Sequence, residues 1–324
     1  MRNKYFKYII IFLLGVSIII LSLSSGTTFI SPAKMLKMSG GAFNDEMQIL
    51  LSLRIPRLIM TLVVGASLAV SGVLFQAILK NPLADPFTIG VSSGASLGAC
   101  FGIIFSMSNN FIMLGAFAGG IGATALVYLI SKLRRFGSSS LILAGISLSF
   151  ILWAGVLLIF ALSPSQQVHK ALLWLMGDLS IARYSMLYRA VPLSALVIIF
   201  SLIYHRHLNI IAFGDELAHS MGITARDIRN IFWLAAVLAA ISVSLAGIIG
   251  FVGLIIPHIT RTLFGPDHKR LIILSSVVGA LFLAACDTLG RTIAPPYEIP
   301  IGVITGFIGG IFFLVLMIRK GGRE

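Results

Sequence analysis

The chain has 324 residues, of which 58% are hydrophobic and 11% charged, and its mean hydropathy is +1.02. A soluble domain carries about 25% charged residues, so the composition excludes a soluble globular protein. The excess of 24 Lys and Arg over 11 Asp and Glu would point to nucleic acid in a soluble chain. In a membrane chain it reads as the cytoplasmic bias of loop charge, and no nucleic-acid partner is expected.

Apolar runs long enough to cross a hydrocarbon core, about 20 residues each, recur from end to end. Helices are expected, because every backbone group in the bilayer must be satisfied within its own segment; the alternation of a lipid-facing barrel is missing. The spans fall at 5–24, 56–79, 88–107, 111–132, 141–162, 187–204, 230–249, 252–264, 271–290 and 301–318. The first, "YIIIFLLGVSIIILSL", exceeds a signal-peptide core of about 7–15 residues and no A-x-A site follows it. It reads as a permanent span.

The second span opens with "LRIPRL". Pro56 suits a first helical turn, which sets Arg54 and Arg57 toward a similar side at its start. They lie on the outer face, where the positive-inside rule disfavours them. Either they snorkel to the interface or they form a basic outer patch that attracts an acidic partner. Next, "KNPLADPFTIG" reads as a structured cytoplasmic turn, with Asp85 near the membrane boundary. In "GVSSGASLGACFG", Gly90, Gly94, Gly98 and Gly102 recur every fourth residue and predict a small-residue packing stripe on one helix face. Gly115 with Gly119, and Gly306 with Gly310, repeat the device.

Between spans six and seven lies "AFGDELAHSMGITARDIRN", residues 212–230. Gly214 and Asp215 can start a short helix, Asp215 as an acceptor for an orphan N–H. Leu217 and Met221 share one face, and Gly222 is a left-handed stop. Thr224 with Asp227 has capping-box spacing and starts a second helix running into span seven. The segment is either a solvated loop or a docking element with an apolar face for a soluble partner. The eighth span, "VGLIIPHITRTLF", is short and interrupted, and puts His258 and Arg261 near the cytoplasmic interface. It is kept because both termini are basic and therefore cytoplasmic, which requires an even number of crossings. Lys80, "KLRR" at 132–135, "YHRH" at 204–207 and "DHKR" at 267–270 then all fall inside, and Arg291 falls outside.

Cys100 and Cys286 sit in apolar segments without metal or disulfide spacing. No P-loop occurs, and no H-E-x-x-H or G-x-S-x-G. No catalytic residue, metal ligand or bound cofactor is expected in this chain, which reads as one membrane domain over 1–324.

Taken together, "LRIPRLIMTLVVGASLAVSGVLFQAILKNPLADPFTIGVSSGASLGA", "GDELAHSMGI", "GFVGLIIPHITRTLFGPDH" and "PYEIPIGVITGFIGGIFF" resemble the FecCD-type permease family, the membrane subunits of ABC importers for ferric siderophores, haem and cobalamin. The resemblance implies an all-α polytopic membrane protein of about ten transmembrane helices, the type II ABC importer permease fold, in a bacterial cell membrane. It implies a second permease subunit, identical or paralogous, two cytoplasmic ATPase subunits that carry ATP and Mg, and an extracytoplasmic substrate-binding lipoprotein. It places ATPase coupling in a region at about 207–229, on Gly214, Asp215, Glu216, Leu217, Ala218, Met221 and Gly222. It places binding-protein docking on Arg54, Arg57 and Arg291. Ferric siderophore is the expected cargo, with haem or cobalamin as alternatives. The Gly and Ser face of span three and Gln76 are candidate pathway or packing positions. A rival from another class is a secondary transporter driven by an ion gradient, with Asp287 as its intramembrane acid. A membrane enzyme would need a catalytic constellation, and none is visible.

Overall fold

The computed structural model describes residues 2–26, 28–32, 34, 45–133 and 138–321. Among them every element is helical. In chain order these are α1 (Arg2–Ser24), α2 (Asp45–Ile78, with a π-helical turn at Leu50–Arg54), a 3-10 turn (Pro86–Ile89), α3 (Val91–Ile104), α4 (Asn109–Leu133) and α5 (Ser138–Ala161). Then follow α6 (Ser165–Leu175), α7 (Tyr184–Ile203), α8 (His205–Ile211), α9 (Asp215–Ser220), α10 (Ala225–Ala246), α11 (Val252–Phe264), α12 (His268–Thr292) and α13 (Ile301–Gly321). Eight helices are long and apolar enough to cross a membrane, and α3 and α11 are shorter apolar helices at the third and eighth expected spans. The expected basic loop at 132–135 extends outside the described residues at Arg134 and Arg135, as does the C-terminal tail from Gly322.

The core is α2. In its most apolar stretch 78% of residues are buried, against 11% for α1 and for α5. Glycine explains how α2 reaches the centre: Gly65 faces the Gly279 carbonyl of α12 and Gly72 the Gly253 carbonyl of α11. The Ser71 hydroxyl donates to Ala235 O of α10 at 2.7 Å. Helices α3 and α4 meet the same way. A Cβ on Gly98 would lie 2.0 Å from Gly115 O, one on Gly94 2.2 Å from Gly119 O, and Gly102 packs on Ile112.

Two glycine expectations need correction. Gly90 is not part of the packing stripe: it has φ 85°, ends the 3-10 turn, and a Cβ there would meet nothing closer than 3.8 Å. Its constraint is backbone conformation, which only glycine adopts cheaply. A Cβ on Gly306 or Gly310 would meet nothing within 4 Å, so that face of α13 makes no close helix contact among the described residues.

Lys80 and Asp215 meet at one end of the bundle, termed lower; Arg57 and Arg291 lie at the other, termed upper. The start of α1 is at the lower end, where the Lys7 ammonium donates to Leu263 O at 2.7 Å and Tyr8 stacks on Phe264. The short α11 reflects its sequence. Gly247 (φ 71°) ends α10 and Phe251 (φ 69°) precedes Val252, so the chain descends without helix before α11 begins. Thirteen residues rise about 20 Å at 1.5 Å each; α11 therefore starts at mid-depth. Helix α6, after Pro164, lies beside the upper end and was not foreseen, and neither was α8.

The capping box is as the spacing predicts: the Asp227 N–H donates to the Thr224 hydroxyl and the Thr224 N–H to the Asp227 carboxylate. Losing a cap typically costs about 1 kcal/mol. Thr224→Ala should speed amide hydrogen exchange at 226–228 about fivefold while leaving the middle of α10 unchanged; uniform protection would show that the box holds nothing.

Candidate functional sites at the two ends of the bundle

At the lower end, α9 hangs between the turn at 212–214 and the stop at Gly222 (φ 82°). Ala218 and Ile223 are buried in the hydrophobic core with Phe232 of α10. Leu217 and Met221 are 44% and 59% exposed, and Phe213 79%. Ala218 therefore anchors the element, whereas Phe213, Leu217 and Met221 form its outward apolar face, with Glu216 and His219 also exposed. Asp215 does not cap the helix. Gly214 (φ 122°) is the N-cap, and the Asp215 carboxylate instead pairs with the Lys80 ammonium at 2.5 Å. Lys80 sits just beyond α2 with φ 50°, a left-handed conformation uncommon outside glycine. Its backbone turn aims the side chain at α9.

A cavity of about 570 Å³ lies beside this pair, lined by Gln76, Lys80, Asn209, Phe213, Arg261 and His268 among others. Gln76 is a bridge between helices. Its Oε1 accepts from both terminal nitrogens of Arg261 at 3.2 Å, and its Nε2 donates to Gly253 O at 3.3 Å. Asn209 ties α8 to the start of α12 through Asp267 and the His268 N–H. The Arg270 N–H, a direct donor to Asp267, holds that carboxyl below the usual range.

Asp85 is not at the boundary. Pro86 lies against Gly253 of α11, whose own near neighbour on α2 is Leu68, so the 3-10 turn re-enters the bundle at mid-depth. The Asp85 carboxylate accepts the Phe87 N–H at 2.9 Å and that of Phe251. It thus fastens the re-entrant turn to the break before α11. Next to it a cavity of about 500 Å³ is lined by Ser92, Ser93, Ser96, Ser149 and Trp153. The serine face of α3 opens on this cavity.

At the upper end the three arginines converge, and two are buried. Arg54 and Arg291 are each 6% exposed. Arg54 donates to the carbonyls of Leu23, Ser24 and Thr28, and Arg291 to those of Ser22 and Ser25. The last carbonyls of α1 have no partner within the helix and carry the negative end of its dipole. Two guanidinium groups satisfy both needs. Arg54 and Arg291 are thus both engaged inside the chain. Arg57 is partly open, with a side chain 15% exposed; it pairs with Asp287 at 2.8 Å and Glu298 at 2.7 Å. Asp287, 2% exposed, also pairs with Arg291 at 3.1 Å. Glu298 was missed in the sequence because its partner lies 241 residues away.

A model of the FecCD transport family matches residues 12–319. The hemin transport system permease protein HmuU of Yersinia pestis is 37% identical over 287 residues, covering 86% of this chain and 85% of that protein. The Fe(3+) dicitrate transport system permease protein FecD of Escherichia coli is 38% identical over 283 residues, with 86% and 87% covered. A solved structure titled as an inward-facing conformation of a metal-chelate type ABC transporter superposes with TM-score 0.84 at 32% identity, covering 95% of this chain and 97% of that one.

Proposed function

The chain belongs to the FecCD transport family, and from that premise we propose that it is the membrane-spanning permease subunit of an ATP-driven importer of ferric siderophores. In this reading the lower end faces the cytoplasm and meets two separate ATPase subunits, which hold ATP and magnesium. The upper end receives an extracytoplasmic substrate-binding protein, and a second permease subunit completes the pathway. The names of two relatives, one for hemin and one for ferric dicitrate, support an iron-chelate cargo.

The observation that carries the proposal is the division of labour on α9. Its core contact is made by Ala218, while Phe213, Leu217 and Met221 lie outside the core cluster and are exposed. A short helix of this form fits a groove on a soluble subunit. Closure of the ATPase pair pushes it, and the Lys80–Asp215 pair and the Asp85 clasp carry the push to the mid-depth breaks. Packed helices have discrete arrangements, so the displacement favours a second packing. At the upper end, Arg57 is the one of the three arginines placed to meet an acidic residue of the binding protein.

The state of Asp287 weighs against an ion-gradient transporter. Such a protein needs an acid that changes charge or partner during the cycle, and Asp287 is held between Arg57 and Arg291. Reconstitution separates the two classes. The chain alone should move no chelate in liposomes with a proton or sodium gradient, and uptake should appear with the ATPase and ATP.

The Lys80–Asp215 pair allows a cleaner test. An exposed ion pair contributes up to about 1 kcal/mol, about fivefold in an equilibrium. Lys80→Glu and Asp215→Lys should each lower ATP-dependent uptake by about two- to fivefold, and the double exchange should restore it. A double variant no better than either single one would remove the pair from the transmission path.

A further inference from the structure

The geometry points to Glu298 as an internal stand-in for a carboxylate of the docking partner, seated on the outward nitrogen of Arg57 until an acidic side chain displaces it. This inference rests on the docking reading of the upper end.

Arg57 is used asymmetrically. Its Nε and Nη2 are given to Asp287 at 3.0 and 2.8 Å, inside the protein, where Asp287 is 2% exposed. Its Nη1 is given to Glu298 at 2.7 Å, and Glu298 is 40% exposed. A guanidinium presents its donors in a fixed fork suited to carboxylates. One edge is therefore committed to the core and the other is held by a side chain that water already reaches.

A cavity of about 180 Å³ opens beside this edge, lined by Arg57, Asp178, Ser180 and Glu298 with Gly177 and Ile299 among others. It is large enough for a carboxylate on a short stem. Addition of a third acid is disfavoured, since Asp178 and Glu298 already line the pocket, and like charges in a site repel. The newcomer enters by exchange. Glu298 is the carboxylate paired with the outward nitrogen of Arg57; when it swings out, that edge is left without its counter-charge and attracts the replacement.

The exchange does not require the backbone to move. The Tyr297 N–H donates to Ala294 O at 2.8 Å and the Ile299 N–H to Gly290 O at 3.0 Å, so both flanks of Glu298 stay fixed while its side chain swings out. Exposed ion pairs are weak, so a partner's acid can compete.

The experiment uses the assembled permease–ATPase complex in lipid nanodiscs, titrated at low salt with the soluble domain of its cognate substrate-binding protein. Glu298→Gln removes the competing charge at constant shape and should tighten docking about three- to tenfold. Glu298→Asp, with a shorter reach, should fall between. A second readout uses no partner: phenylglyoxal modification of Arg57, mapped by mass spectrometry, should run severalfold faster in Glu298→Gln. Unchanged or weaker docking of Glu298→Gln, with Arg57→Gln still losing docking, overturns the exchange and makes Glu298 a brace. Unchanged docking of Arg57→Gln overturns the docking reading itself, and this inference with it.

Discussion

Leu217→Asp should leave the permease folded in the membrane and abolish ATP-driven uptake, with the same outcome for Met221→Asp. The residues are 44% and 59% exposed and lie outside the buried core, so an aspartate at either is solvated in the free chain. In a complex the position changes character. Burying a Leu or Met side chain at an interface contributes about 1.5–3 kcal/mol, and an unpaired carboxylate in its place adds several more of opposite sign. The sum exceeds the roughly 1.4 kcal/mol per tenfold of affinity more than twice over. ATPase recovered with the tagged permease should fall at least a hundredfold, while gel-filtration profile and thermal midpoint of the permease stay at wild-type values. Ala218→Asp is the contrast. Ala218 is 4% exposed within the core cluster, so that variant should lose folded protein as well. Normal ATPase recovery and uptake by Leu217→Asp would show that α9 is not the docking element.

The sequence and the structure part company where a side chain's role depends on something distant along the chain. Span number and the Thr224–Asp227 box were legible because both rest on local pattern: runs of apolar residues, and an acceptor three residues from its donor. The broken eighth span was legible because charge parity required it. The three arginines do share one end of the bundle, opposite Lys80, but which way they point was not readable. Arg57 finds Asp287 230 residues away and Arg291 finds Ser22 269 residues away, and no local pattern encodes either meeting. Asp85 was set at the boundary because two prolines flank it; its true depth follows from how far α11 reaches. Gly90 was counted with the packing stripe on spacing alone, and spacing does not distinguish a glycine kept for its left-handed φ from one kept for want of a Cβ.

These long-range meetings also explain why the upper end is built of charge. An α-helix ending in a membrane protein leaves carbonyls that lipid cannot satisfy. Arg54 and Arg291 supply those donors to α1, and Asp287 sits between Arg291 and Arg57 as their shared counter-charge. The same cluster lends Arg57 its one open edge. A stabilising network and the group proposed for docking are thus one assembly, and the buried members position the exposed one.

The largest effect on the fold is expected at Gly72. A Cβ there would lie 1.8 Å from Gly253 O and 2.5 Å from its carbonyl carbon. Both obstacles are backbone, so no side chain can swing aside; α2 and α11 must move apart. Overpacking a well-filled core costs about 1–3 kcal/mol and occasionally more, and here further losses follow. Gln76 Nε2 already reaches Gly253 O at 3.3 Å, and any separation takes it beyond hydrogen-bonding distance, leaving a buried amide and its bridge to Arg261 strained. Folding stability of a domain is only about 5–15 kcal/mol, so Gly72→Ala should cut the yield of monodisperse protein severalfold and lower its thermal midpoint clearly, and Gly72→Val should give almost none. Gly122 on α4 supplies the control. A Cβ there meets nothing within 4 Å, and alanine is favoured over glycine within a helix by about 1 kcal/mol, so Gly122→Ala should match or exceed wild type. If Gly72→Ala melts with the wild type, the close crossing of α2 and α11 is not the contact on which the core closes.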